Sequence, residues 1–309
     1  MSEHMHVGGQ AVLEGVMMRS PKALAIAVRK PNGEVAVKEA PWRSLSEKMP
    51  LFSKPFLRGV VVLLESLING IDALTYSASQ AIDEEEEEQL SNWAMAGTII
   101  VALGMAIVLF VVVPHYLSLI LGRYGPWTFD MHSLAFHAID GAIKLGVFLL
   151  YIYLIGLIRD IGRVFEYHGA EHKSIFAYES GCELTVENAR QFTTRHPRCG
   201  TAFIIIVLMI SILLFAVVFP FITPKGVNVP WTMNIVFVLI KIVLMFPIAG
   251  AAYELNRYAS RHMDRWFLKW AVTPGLWVQG LTTREPSDDQ IEIALIALKR
   301  ALAIESAQE

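Results

Sequence analysis

Four stretches of the chain stay apolar for twenty residues or more, at 94–113, 134–158, 201–221 and 231–253. A hydrocarbon core of about 30 Å takes roughly 20 helical residues at 1.5 Å each, so each run predicts a membrane-spanning helix. Trp93, Trp127 and Trp231 fall at run ends, where an interfacial aromatic belt would sit.

Around these runs the period changes. Over 7–40 polar and apolar residues alternate, with Gln10, Val12, Glu14 and Val16 on one side, and Pro31-Asn32-Gly33 reads as a turn; a small β-sheet is expected. Over 56–80, Arg58, Glu65, Asn69, Asp72 and Tyr76 share one helical face opposite Val60, Val61, Leu64, Leu67, Ile68 and Ile71. That pattern predicts an amphipathic helix lying on the membrane or against the bundle without spanning. The acidic run 83–88 reads as a solvated linker. Beyond the fourth run the chain continues helically with Arg257, Arg261, Arg265 and Trp266, a composition suited to the headgroup layer. A last helix starts near Ser287, with Asp288 and Asp289 in its first turn and Ile291, Leu295, Leu298 and Leu302 as its apolar stripe.

The fold class that follows is an all-α polytopic membrane bundle of about four transmembrane helices with a small cytoplasmic α+β portion. Along the chain this gives a β-rich segment at 1–55, the amphipathic helix at 56–80 and an acidic linker at 81–93. A transmembrane region at 94–253 carries an inward loop at 159–200, and a helical tail fills 254–309.

Composition agrees with a membrane class, since hydrophobic residues make up 54% of the chain and charged residues 18%, against about a quarter charged in soluble domains. Lys and Arg number nine before the first run, one, six and one in the three links, and seven in the tail. Basic residues mark the cytoplasmic side, so this alternation places both termini and 159–200 on the cytoplasmic side of a membrane of inner-membrane type. Residues 1–30 lack the continuous apolar stretch of a signal peptide. The two cysteines, Cys182 and Cys199, both fall in the inward loop, which makes them reduced thiols or metal ligands rather than a disulfide. The lipid bilayer is the expected partner, with a membrane protein, lipid or peptide as substrate, and no nucleic acid.

The sharpest chemical signal is His168-Gly169-Ala170-Glu171-His172. On a helix the two histidines stand one turn apart and can reach one divalent ion, while Glu171 can orient or deprotonate a water. The H-x-x-E-H spacing is that of inverzincin peptidases. His196 and Cys199 add donors that a borderline-soft ion such as zinc prefers. With all four groups bound the site would be closed and structural; with two histidines and one further group, for which Glu254 is a candidate, a position stays open for hydrolysis. The competing reading makes the histidines surface groups bonded to carboxylates or lipid phosphate, and Cys199 a small packed residue.

Three charges fall inside the runs. Asp140 and Lys144 are one turn apart and can neutralise each other, whereas Lys241 needs a carboxylate, carbonyls or a water-filled cavity. An ion path is one reading and an internal salt bridge with a snorkelling lysine the other. At the N-terminus, Gly8-Gly9 beside Gln10 and Glu14 allows close backbone approach to a ligand or strand, but fits neither a P-loop nor a dinucleotide fingerprint.

Taken together, GGQAVLEGVMMR, HGAEHKSIFAYE, TRHPRCGT and PGLWVQGLTTREP resemble the bacterial YqhQ-like membrane protein family (domain of unknown function 1385), over nearly the whole chain. The resemblance implies membrane proteins described as predicted metal-dependent enzymes. It points to Gly9, Gln10, Glu14 and Arg19, to His168, Glu171 and His172, and to Arg195, His196, Arg198 and Cys199.

The function expected is a membrane protein with a divalent-metal site, zinc by ligand type, working as a metal-dependent hydrolase. In it Glu171 is the general base and Arg195 or Arg198 the oxyanion stabiliser. A non-catalytic assembly, translocation or scaffold factor is the first alternative, and an ion or small-solute transporter using Asp140, Lys144 and Lys241 the second. The count of metal ligands separates the first two.

Overall fold

The structure is a computed structural model, and it describes residues 6–81, 92–125, 133–222, 231–262 and 265–307. The acidic run 83–88, Trp127 and Lys225 lie outside these. By internal contacts the chain divides into two units, one of Met1–Glu87, Tyr153–Ala202 and Thr273–Glu309, the other of Glu88–Ile152 and Phe203–Val272.

The first unit is built on a four-stranded antiparallel meander of β1 (Gly8–Val12), β2 (Gly15–Arg19), β3 (Ala23–Arg29) and β4 (Val35–Pro41). Gly33, at φ 88, closes the turn before β4, with its N–H donating to Lys30 O at 2.9 Å. The expected continuous strand through Glu14 is instead a tight hairpin, in which Val12 pairs with Gly15 and Glu14 takes φ 50. Gln10 and Glu14 therefore do not share a side. Gln10 lies across Gly70, whereas the Glu14 carboxylate pairs with Arg163 and accepts from Tyr167 Oη at 3.3 Å. Arg19 stacks on Trp42 at 4.4 Å.

Because strand side chains alternate, the sheet has two apolar faces. Val16, Met18, Ala25 and Ala27 pack on α6 (Arg159–Glu179) and α11 (Asp288–Ala307). Met17, Leu24, Ile26 and Val28 pack with Ala73 of α2 (Leu57–Ala81). The sequence around Ser287-Asp288-Asp289-Gln290 starts α11, with Gln290 Oε1 accepting from Ser287 N–H at 2.8 Å in the manner of a capping box. Two short helices, α1 (Leu45–Lys48) and α7 (Val186–Arg190), complete this unit's loops.

The polar face of α2 packs inward and its apolar face outward. Glu65 is buried and caps α1 by accepting from Leu45 N–H and Ser44 Oγ, Asp72 pairs with Lys38 at 2.8 Å, and Leu63, Leu64, Leu67 and Ile68 are exposed. An apolar helical face turned away from its own core suits contact with lipid or with other helices.

The second unit carries most of the four helices that are long and apolar enough to cross a membrane, at Gly97–Tyr124, Leu134–Ile155, Gly200–Ile222 and Thr232–Ala259. The first comprises α3 (Asn92–Ile107) and α4 (Val113–Tyr124), joined through a π-turn at Val108–Val112, and it runs beyond the apolar stretch that ends at Val113. Pro114, which lacks the N–H that an α-helix needs, follows this π-turn directly in the first turn of α4. His115 and Ser118 of α4 are buried. The others are α5 (Leu134–Ile155), α8 (Gly200–Ile222) and α9 (Trp231–Arg261), and α10 (Trp266–Thr282) returns the chain to the first unit. Phe136, Phe215, Phe219, Phe237 and Ile248 form the second unit's core.

Candidate metal centre

All the groups that meet here belong to the first unit. His168 and His172 stand one turn apart on α6 with ring centroids 4.4 Å from each other, and Cys199 comes from the loop leading into α8. One donor atom from each of His168, His172 and Cys199 lies within 4.8 Å of the other two. Cys199 Sγ is 3.2 Å from His168 Nε2 and accepts from Thr201 N–H in the first turn of α8.

Each ring is oriented by a backbone carbonyl. His168 Nδ1–H donates to Thr282 O at 2.9 Å, and His172 Nδ1–H donates to Thr194 O. With Nδ1 occupied as donor, the neutral ring presents Nε2 with its lone pair. His172 is buried, and its Nε2 has no hydrogen-bond partner. Burial pushes the His172 imidazolium below the usual imidazole range, so the ring is neutral near pH 7. Two tautomer-fixed imidazoles and one sulfur form a donor set that fits a divalent ion with N/S preference.

Glu171 is buried beside this cluster. Burial raises its pKa above the ordinary carboxylate range, partly offset by His168, His196 and a hydrogen bond from Gly9 N–H. A Cβ on Gly9 would stand 2.8 Å from Glu171 Cγ, which is why β1 carries glycine at that point.

His196 is not one of the three clustered donors, although its ring centroid lies 5.7 Å from that of His172. Its Nε2 faces Glu179 at 3.4 Å, its Nδ1 accepts from Arg198 N–H at 3.3 Å, and its ring packs on Phe176 at 4.4 Å. Burial lowers its pKa to about 4. Its backbone is clamped by Gln279, which accepts from His196 N–H at 2.9 Å and donates to His196 O at 2.8 Å. Arg198 pairs with Glu179, and Arg195 is exposed with its guanidinium beside Gly280. Glu254 belongs to α9 in the other unit and is not a member of the cluster. Gln279, Thr282 and Thr194 are the positioning groups that residue chemistry alone does not expose, since two of them act through backbone carbonyls.

The sequence profile described as "Protein of unknown function (DUF1385)" matches residues 54–304. The chain belongs to the DUF1385 family. Within it, the chain is 31% identical to the protein named "Uncharacterized protein YqhQ" of Bacillus subtilis (strain 168), over 98% of this chain and 94% of that one. No solved structure matches it. The DUF1385 profile covers α6, the Cys199 loop and the end of α10, and so spans every donor of the cluster.

Proposed function

We propose that this DUF1385 protein is an integral membrane protein holding one divalent metal ion, zinc by ligand preference, through His168 Nε2, His172 Nε2 and Cys199 Sγ, and that it acts as a metal-dependent hydrolase. The observation that carries the reading is the pair of imidazoles whose Nδ1–H groups are tied to Thr282 O and Thr194 O, leaving a buried Nε2 of His172 without a partner. An N/S-liganded ion with three protein donors supplies Lewis acidity to a substrate carbonyl or phosphoryl oxygen. Glu171, its pKa raised by burial, takes up and returns a proton as general base and acid. Gly9 N–H holds its carboxylate in place, and Gln279 holds the His196 backbone beside it. Arg195 remains the exposed guanidinium available to an anionic substrate group, whereas Arg198 is engaged by Glu179.

The asymmetry of Lys and Arg supports placing this unit on the cytoplasmic side, with both termini inside. A reporter fused at Ser180 should be active only as a cytoplasmic protein and one fused at Gly125 only as an external one; either reversed would overturn this orientation.

Cobalt substitution tests the ligand set and the open position. Purified protein stripped of metal and loaded with Co²⁺ should show a sulfur-to-cobalt charge-transfer band, lost in Cys199→Ser and kept in Cys182→Ser. Added azide should shift the visible bands if a fourth position is open. An unchanged spectrum would mean a closed site and favour the scaffold alternative, and absence of the band would remove Cys199 as ligand.

A further inference from the structure

The last turns of α10 are packed on one side and bare on the other. Gly275 is buried against the first turn of α8, where a Cβ would stand 2.7 Å from Ala202 Cα, and Val278, Gln279 and Thr282 are buried too. Trp277 and Leu281 are four residues apart and so share a helical face, on which they are 76% and 42% exposed. All of these residues belong to the first unit.

α8 is one of the four helices long and apolar enough to cross a membrane, and a helix that crosses starts at the headgroup layer. Contact with its first turn puts the bare face of α10 at that layer. Tryptophan is enriched there, because its ring is apolar while its N–H keeps a polar partner.

Arg195 is laid across the same face. Its Nη2, Cζ and Nε stand 3.2, 3.8 and 3.9 Å from where a Cβ on Gly280 would be, so the guanidinium rests on the helix where no side chain stands. Gly280 lies one turn after Trp277 and directly before Leu281. The chain that carries Arg195 is fixed on both sides, since Thr194 O accepts from His172 Nδ1–H and Gln279 holds the His196 backbone with two hydrogen bonds. Among the described residues no carboxylate pairs with this guanidinium, whereas Arg198 is held by Glu179.

A fixed guanidinium flanked by an indole and a leucine offers two things at once. The cation donates two parallel N–H bonds to a phosphate, and the apolar pair covers the glycerol and first methylenes of an acyl chain. A soluble phosphate compound would use the cation and leave Trp277 and Leu281 bare. We infer that Arg195, Trp277 and Leu281 form a binding site for the headgroup of one anionic phospholipid. The site rests on α8 spanning the membrane and not on bound metal.

The test is a titration of the full-length protein in detergent with dioleoyl phosphatidylglycerol, read by native mass spectrometry. Dioleoyl phosphatidylcholine, whose own cation competes for the phosphate, is the reference lipid. One phosphatidylglycerol per chain should bind ahead of phosphatidylcholine. Arg195→Gln should weaken it roughly tenfold or more, the loss of a charge-assisted hydrogen bond, and Arg195→Lys should lose less. Trp277→Ala should weaken it on the order of tenfold through lost apolar contact. In each variant the buried Cys199 should still alkylate slowly beside the exposed Cys182, showing that the unit is folded. Equal binding of the two lipids, or phosphatidylglycerol binding unchanged in Arg195→Gln and Trp277→Ala, would overturn the site. Displacement of the lipid by an equal concentration of glycerol 3-phosphate would assign the guanidinium to a soluble phosphate and overturn it as well. So would a wild-type dimer that Trp277→Ala dissociates, which would put a second chain on this face. Zinc content of the same samples reports the metal centre separately.

Discussion

Gly169→Ala should disassemble the first unit around its metal centre, although the substitution adds one methyl group to a helix. A Cβ at Gly169 would run into the backbone carbonyl oxygen of Arg284 and stand 3.2 Å from Thr194 Cγ2. Arg284 is fixed where it is because its N–H donates to Phe165 O at 2.9 Å and its guanidinium donates to Gly156 O at 2.6 Å. A clash with backbone cannot be relieved by a rotamer change, so α6 and the segment after α10 must separate. Thr282, at the end of α10, supplies the carbonyl that anchors His168, and Thr194, whose Cγ2 meets the added methyl, supplies the one that anchors His172, so both ring anchors are disturbed. Overpacking of this kind costs about 1–3 kcal/mol, and more where backbone must move. The buried thiol of Cys199 reports the outcome, with exposed Cys182 as reference in the same chain. In native membranes Cys199 of Gly169→Ala should alkylate at a rate near that of Cys182, while Gly8→Ala, whose Cβ meets nothing within 4 Å, should behave as wild type. Slow alkylation of Cys199 in Gly169→Ala would show that this close approach does not hold the unit together.

The four long helices, the sheet and the last helix were legible because each rests on a repeat of apolar positions that a single sequence displays. What stayed hidden depends on packing between elements. The alternation over 10–16 continues through a two-residue turn, so nothing in the pattern reveals that Leu13 and Glu14 reverse the chain and send Glu14 toward Arg163. Of the candidate donors, His168, His172 and Cys199 are brought together, while the neighbouring His196 turns its Nε2 toward Glu179 and has its backbone held by Gln279 of α10. Gln279 and Thr282 lay within a motif, PGLWVQGLTTREP, whose residue types suggest no chemistry. Lys241 needed a partner, and the sequence offered Asp140 only as the mate of Lys144; that one carboxylate serves both lysines depends on α5 lying against α9. His115 lies past the proline that ends the apolar pattern, and it is buried on a helix that continues to Tyr124.

The second large effect concerns the metal itself. His172 supplies a buried Nε2 with no partner of its own, so truncating it removes one of three donors and leaves two, too few to hold an ion against water. Glu171→Gln removes a proton acceptor but no donor, and should keep the metal while abolishing any hydrolytic activity. Metal binding also requires neutral imidazoles, so occupancy present at neutral pH is lost on acidification. Because burial holds His172 below the ordinary value of about 6.5, protons displace the ion from this residue at lower pH than from a free imidazole.

The most direct measurement is elemental analysis of the full-length protein purified without chelator, wild type beside His172→Ala. The account predicts about one zinc per chain in the wild type, retained in Glu171→Gln and falling to background in His172→Ala. A metal-free wild type, or a stoichiometry that His172→Ala leaves unchanged, would contradict it.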